Sequence, residues 1–410
     1  IAMRDTALPN LASQMEELAG ALQNEINALH NQGTSYPGND VLTGTRTMLG
    51  TEQPPWTGTF RVAALDANGL AVESLDINLA GLTVNGLIAQ INTMTDVNAS
   101  LVGGKVVIQP TNAANKVAVN EMTSAVTLGN RTVGASAFLG LNDFYTNGAD
   151  YDVYGSDYQA GNNSALGIAG TMTAQVGAFN VPIVYTAADT LNDVATKINA
   201  AMAANAPPLA VNASVDASGG GYRLRITADT STGLQNFFMT DAPTTPTGVI
   251  TALNMTVRDG RMASTMAIRS DIKTDPSRVA HGQLASGVLV AGAIGITTGD
   301  NRTAQAISNK FNSEINFSPA GLLSGSRRTL ADYGAQILAL NASQARNAAD
   351  LRSSREFLAE NLANTVASAS GVNLDEEMAN LIILQNAYAA SARVIDITSQ
   401  MFDALAQIVR

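Results

Sequence analysis

The stretch GVNLDEEMANLIILQNAYAASARVIDITSQMFDALAQIV, residues 371–409, decides how the rest of the chain is read. Within it Leu374, Met378, Leu381, Gln385, Tyr388, Ala392, Ile395, Ser399, Phe402, Ala406 and Val409 follow one another at alternating steps of four and three. That spacing is a heptad seam, the line along which one helix packs lengthwise on another. Asn373 is placed as N-cap, Glu376 three residues on completes a capping box, and Asp375 and Glu377 suit the positive end of the helix dipole. About 36 helical residues extend roughly 54 Å at about 1.5 Å per residue. Burial of each larger seam residue is worth about 1.5–3 kcal/mol, so the pattern calls for a partner helix. A helix packed on its own domain would show the same spacing, but the position at the end of the chain favours assembly.

Working outward, Ser368-Ala369-Ser370-Gly371 interrupts a preceding helical pattern that starts at Leu330 and carries Tyr333, Ile337, Leu340, Gln344, Leu351 and Leu358 near one face. At the other end, Leu8, Leu11, Met15, Leu18, Leu22, Ile26 and Leu29 predict an amphipathic helix with Pro9 in its first turn, closed by Gly33, Pro37 and Gly38. Three such helices leave one seam unmatched, which points to a preceding helical segment or to neighbouring subunits. Residue 1, which is not Met, is not expected to be the natural start.

Between the helices, residues 39–56 read as a linker and the chain then turns to short Val, Ile and Thr-rich segments set off by Gly, Asn and Asp. An internal repeat runs through this region. Gly58-Thr59-Phe60, Ile91-Asn92, Asn98-Ala99-Ser100 and Gly103-Gly104 are answered by Gly170-Thr171-Met172, Ile198-Asn199, Asn212-Ala213-Ser214 and Gly219-Gly220-Gly221. Gly140-Leu141-Asn142-Asp143-Phe144-Tyr145 and Gly233-Leu234-Gln235-Asn236-Phe237-Phe238 read as matching closing phrases. Each copy predicts a strand, a short helix and a hairpin turned on its glycines. The fold class expected is α+β, with long terminal helices flanking a β-rich middle of two small modules. Its expected parts are a core helix in 1–38, modules in 57–147 and 148–262, the second an insertion, a mixed segment 263–329, a core helix 330–368 and an assembly helix 371–410.

The 410 residues are 46% hydrophobic and 14% charged, with net charge −11, which describes a globular acidic chain. The 23 Lys and Arg are scattered, so no basic stripe offers itself to nucleic acid. The run Val288–Ile296 is broken by Gly292 and Gly295 and is too short for membrane insertion. Cysteine is absent, which removes disulfides and thiolate chemistry.

No catalytic pattern emerges. His30 and His281 are the two histidines, far apart and read as packing or surface residues. Gly103-Gly104-Lys105 is too short for a phosphate loop, Gly219-Gly220-Gly221 is a turn, and the Asp375, Glu376, Glu377 cluster is explained by a helix start. Trp56 is read as a packing anchor, with a carbohydrate contact as the alternative. Neither a cofactor nor a metal is expected.

Ser370-Gly371-Val372-Asn373-Leu374-Asp375-Glu376-Glu377-Met378-Ala379-Asn380-Leu381, with Gln385, Ala387-Tyr388 and Ala392-Arg393-Val394-Ile395, resembles the C-terminus of the flagellar hook-associated protein 1 family. Arg4-Asp5, Leu8-Pro9, Leu18-Ala19 and Asn27-Ala28-Leu29-His30-Asn31-Gln32-Gly33 look like a mid-chain segment of the same family, as do Phe138–Phe144, Ala263–Pro276 and Gly299-Asp300-Asn301. The resemblance implies a non-enzymatic structural subunit of the extracellular bacterial flagellum, joining hook to filament. It implies export without signal cleavage, assembly with copies of itself in a ring, contacts with the hook protein and a second hook-associated protein, and an export chaperone on the C-terminal helix. The seam residues Leu374, Met378, Leu381, Gln385, Tyr388, Ala392, Ile395 and Phe402 are the assembly positions expected. The family's N-terminal half has no counterpart here, and the second module looks like an addition. An alternative on the duplicated middle is a cell-surface adhesin or polysaccharide-binding protein.

Overall fold

The computed structural model describes residues 7–129, 131–146, 153–157, 159–177, 179–218, 221–228, 237–242, 248–257, 262–371 and 373–408. The fold is α+β, in one unit spanning Ile1–Leu338 and a second spanning Ala339–Arg410.

Helix α1, Leu8–His30, starts with Pro9 in its first turn as expected. Its burial follows the apolar stripe at Ile26 and departs from it in the first two turns. Asn10 and Gln14 are buried, whereas Leu8 and Met15 are exposed. Returning backbone packs against this helix. Gly321 lies so close that a Cβ there would sit 2.5 Å from the Asn10 carbonyl, and Glu17 and Glu16 accept the Ser318 and Ala263 amides at 2.6 and 3.0 Å. At Glu16 and Glu17 polar side chains thus satisfy returning peptide groups.

The first module contains β1 (Leu42–Thr43), β2 (Thr59–Leu65), β3 (Ala71–Asn78), α2 (Val84–Ile91), β4 (Val97–Val102), β5 (Lys105–Pro110), β6 (Lys116–Asn120) and α3 (Ala135–Leu139). Its sheets run β3-β2-β6 and β1-β5-β4, antiparallel throughout. Alternation along β2 sends Phe60, Val62 and Ala64 into a core shared with Val84, Leu87 and Ile91 of α2 and Val106 and Ile108 of β5. The β4–β5 turn is made by Gly103 and Gly104, both at positive φ, as their sequence implied.

The second module repeats this plan with β7 (Val153–Gly155), β8 (Gly170–Val176), β9 (Phe179–Tyr185), α4 (Leu191–Ala203), β10 (Val211–Ser218), β11 (Gly221–Ala228), β12 (Phe237–Asp241) and α5 (Val249–Ala252). Its sheets run β9-β8-β12 and β10-β11-β7, the latter continued by Thr256–Val257. Met172, Ala174, Val194, Ile198, Leu224 and Ile226 form its core.

Three expectations are corrected. Residues 39–56 are not a linker. They supply β1, and Leu42, Met48 and Trp56 are buried in the first core. Each module carries a two-stranded antiparallel hairpin ahead of its helix, β2–β3 and β8–β9, where a single strand was expected. The closing phrases are also not equivalent. Gly233–Asn236 lie outside the described residues, while Phe237 and Phe238 begin β12, the counterpart of β6. The true counterpart of Gly140-Leu141 is Asn254-Met255, which follows α5 as the former follows α3. Gly140 and Asn254 are both at positive φ, and the Leu141 and Met255 amides reach back to the Ser136 and Ile250 carbonyls at 3.0 and 2.9 Å.

The chain leaves the first module and comes back beside its own exit, since Tyr145–Thr146 pairs antiparallel with Ala267–Ile268. The later chain forms α6 (Arg302–Phe311), entered after Asp300 and Asn301, and a ribbon of Ile315–Phe317 with Ser326–Arg328. Helix α7 (Leu330–Ser370) opens in the first unit, where Leu330, Tyr333 and Ile337 are buried and Tyr333 stacks on Phe317 at 3.9 Å. The second unit holds the remainder of α7 and helix α8, Leu374–Ile408.

Candidate assembly surface

Helix α8 starts where the capping pattern placed it. The Asn373 side chain accepts the Asp375 amide at 3.2 Å, and the Asn373 carbonyl accepts the Glu377 amide at 2.9 Å, closing the first turn. Ahead of it, α7 ends at Ser370, and the Gly371 amide bonds the Ala367 carbonyl at 2.6 Å.

Leu374, Met378, Leu381, Gln385, Tyr388, Ala392, Ile395 and Phe402 all lie on this one continuous helix and all are exposed. The larger of them keep from 55% (Leu381) to 80% (Tyr388) of their surface in water. Leaving one such side chain in water instead of a core forgoes about 1.5–3 kcal/mol. A soluble chain rarely carries a contiguous apolar surface of this extent unless something covers it.

The single seam read from sequence is half of what the helix carries. Ile383, Ala387, Ala390, Val394, Ile397, Met401, Ala404 and Ile408 repeat the same alternation of four and three, offset by two residues from the first line. Two positions are about 200° around a helix, so the second line lies on the opposite face. Ile383, Val394, Ile397 and Met401 are each more than half exposed. The signal was available in the spacing, but small alanines thin it in the middle. In α7, Leu351, Phe357, Leu358, Leu362 and Val366 are likewise exposed. No described helix is long and apolar enough to cross a membrane.

The other singled-out residues are structural. The Trp56 ring is buried, donates from Nε1 to the Leu82 carbonyl at 2.9 Å and meets Phe138 edge-on, so it is not placed for a surface sugar. His30 is buried at the end of α1, and His281 points Nδ1 at the Asp300 carbonyl, 2.7 Å away. Among the described residues no three His, Asp or Glu converge to hold a metal.

Comparison with known proteins gives this surface a context. Residues 364–408 match the family described as "Flagellar basal body rod FlgEFG protein C-terminal", and residues 171–230 match "Flagellin hook IN motif". The first match covers α8 with the end of α7, and the second covers β8 to β11. The chain is 26% identical over 139 residues to flagellar hook-associated protein 1 of Bacillus subtilis (strain 168). These matches fit a hook-associated or cap-like flagellar protein. The aligned part is 32% of this chain and 26% of the relative, so the match spans about a quarter of that protein's length. Two solved flagellar cap proteins align at TM-scores too low to carry an argument. FliD of Escherichia coli scores 0.21 at 14% identity over 73% of this chain and 66% of that one, and FliD of Helicobacter pylori scores 0.15 at 13% identity over 48% and 54%. The flagellar proteins and families it matches are structural proteins and not enzymes.

Proposed function

We propose that this chain belongs to a subunit that joins the flagellar hook to the filament and assembles through its terminal helices. The observation that carries this reading is α8 itself, a 35-residue helix with exposed apolar lines on two faces. Copies of the same chain in a ring, the hook protein and a second hook-associated protein are the partners proposed, with Leu374, Met378, Leu381, Gln385, Tyr388, Ala392, Ile395 and Phe402 at the contacts. An export chaperone covers the same apolar helix before assembly, and the protein reaches the extracellular flagellum by type III export. The modules at 57–147 and 148–262 are proposed as outer domains, the second inserted at the Tyr145–Ile268 pairing.

The test is genetic. Double substitution Leu381→Glu with Ile395→Glu in the full-length gene of the source bacterium places two charges on the seam, both at positions in the second unit. Cells are expected to shed filaments into the medium and lose motility, while the secreted variant keeps its wild-type melting behaviour. Motile cells with attached filaments would remove the assembly role of the seam, and the same result for a gene deletion would remove the junction reading.

A further inference from the structure

The C-terminal turn of α1 ends on a histidine whose two ring nitrogens are both committed. His30 is fully buried, with Nδ1 2.6 Å from the Asn142 carbonyl and Nε2 accepting the Ala280 amide at 2.8 Å. A carbonyl can only accept and a backbone N–H can only donate, so the ring is neutral with its proton on Nδ1. One side chain thus ties three separate stretches together: α1, the 140–145 segment closing the first module, and the returning chain at 279–282. The same returning chain is paired to α1's exit by Thr34 and Gly282, which exchange both amide bonds at 2.9 and 3.2 Å.

We infer that His30 is an acid-sensitive latch, holding segment 279–282 against α1 and the first module when neutral and releasing it when protonated. A second ring proton would sit on Nε2, pointing at the Ala280 N–H, so a bond becomes a clash of two donors with a buried charge. No other ring nitrogen offers an alternative, because His281 is turned to Asp300.

The surrounding charges do not cancel this. From the returning segment, Arg269 donates to the Leu141 carbonyl at 2.9 Å and pairs with Asp271 at 2.8 Å, and Arg278 lies 3.7 Å from Asp271. From the 140–145 segment, Asp143 is buried and held by Asn31 and Thr45 at 2.7 and 2.6 Å. Burial is the largest influence on the imidazole and brings its pKa down to about 4. The Asn142 bond works against burial, the Arg269 charge adds to it and the Asp271 charge opposes it. In the unfolded chain the ring takes its proton near the ordinary value of about 6.5. The latch therefore contributes fully above that pH, weakens as pH falls toward 4 and contributes nothing below it. Asp143 acts with the opposite sign, because burial raises its pKa and the folded state takes up that proton early. Global stability mixes the two, so the readout must be local.

Amide hydrogen exchange of the full chain, followed in a peptide across residues 279–283 from pH 7.5 to 4.5 and corrected for intrinsic rates, tests the latch. In the wild type the opening equilibrium of the Ala280 amide is expected to rise on the order of 50-fold over this range. In His30→Gln, whose amide both donates and accepts but does not titrate, it should stay flat, and His281→Gln should follow the wild type. Flat protection in the wild type, or the same fall in His30→Gln, overturns the inference. Nitrogen NMR of the wild-type imidazole keeps the test decisive if His30→Gln does not fold. The neutral Nδ1–H form should persist below pH 5, and titration near 6.5 with the Ala280 amide undisturbed refutes the latch.

Discussion

The strand and helix frame built twice in this chain is held by the same polar devices in both copies, while the outer faces of the two three-stranded sheets have diverged. In the first module Asn92 takes the Ala99 amide at 2.7 Å and gives to its carbonyl at 2.9 Å, and in the second Asn199 does the same with Ala213 at 2.7 and 2.8 Å. Glu121 accepts the Ser136 and Ala137 amides at the start of α3, and Asp241 accepts those of Ile250 and Thr251 at the start of α5. Gly134 and Gly248 precede these turns because a Cβ there would strike the carboxylate, at 2.1 and 1.9 Å.

The outer faces differ at matched positions. In the first module Arg61 pairs with Asp76 and donates to the Ala285 and Gly287 carbonyls at 2.8 and 2.6 Å, and Ser74 donates to the Leu289 carbonyl at 2.6 Å. Small Ala63 and Ala118 leave room for the 284–296 segment laid over them. In the second module Thr173 and Pro182 stand where Arg61 and Asp76 do, and Gln175 and Phe238 replace the two alanines. Phe238 enters the first module's core against Phe138, at 5.7 Å between rings. The frame is what was duplicated, and the outer face decides what each copy packs against.

The sharpest way to break this comparison is Phe238→Ala. It removes a ring that one module contributes to the other's core, and is expected to cost about 3–5 kcal/mol in denaturant unfolding. A loss below about 1 kcal/mol would mean the modules do not share a core. Next in size is Arg61→Ala, expected to cost about 1–3 kcal/mol by leaving Asp76 and two carbonyls without their donor. Limited proteolysis should then cut within residues 284–296. The matched Thr173→Ala should change stability by less than about 0.5 kcal/mol and open no new site. Equal effects at the two positions would show that the faces have not diverged in function.

What could be read from sequence follows from how each feature signals itself. The α8 helix and the Gly103-Gly104 turn were legible because periodicity and positive φ restrict residue choice directly. The repeat showed itself at Ile-Asn and Asn-Ala-Ser, which the Asn92 and Asn199 clamps now explain. The caps stayed hidden because Glu121 and Asp241 differ in residue type and lie 15 and 9 residues from the amides they serve. The covering role of 284–296 depends on contacts over more than 200 positions, which no local pattern reports.

The smallest effect is the most diagnostic of shared ancestry in the frame. Thr83 caps α2 by accepting the Gly86 amide at 3.0 Å, and Thr190 caps α4 by accepting the Asp193 amide at 3.2 Å. Only the second is a reciprocal box, because Asp193 returns bonds to the Thr190 amide and hydroxyl at 3.0 and 2.8 Å. Either threonine changed to alanine should cost about 1 kcal/mol, as N-cap deletions do. The Asp193 carboxyl is held below its ordinary range first by the Thr190 amide and then by the Thr190 hydroxyl. A depressed carboxylate stabilises the fold above its unfolded value and loses that contribution as pH falls through the folded one. Thr190→Ala should therefore cost more than Thr83→Ala at pH 7 and lose that excess at an acid pH where the folded Asp193 is protonated, while the cost of Thr83→Ala stays level. Urea unfolding of both variants at the two pH values measures this. If the costs shift together with pH, the box contributes nothing beyond the single cap, and the two helix starts are equivalent despite their different chemistry.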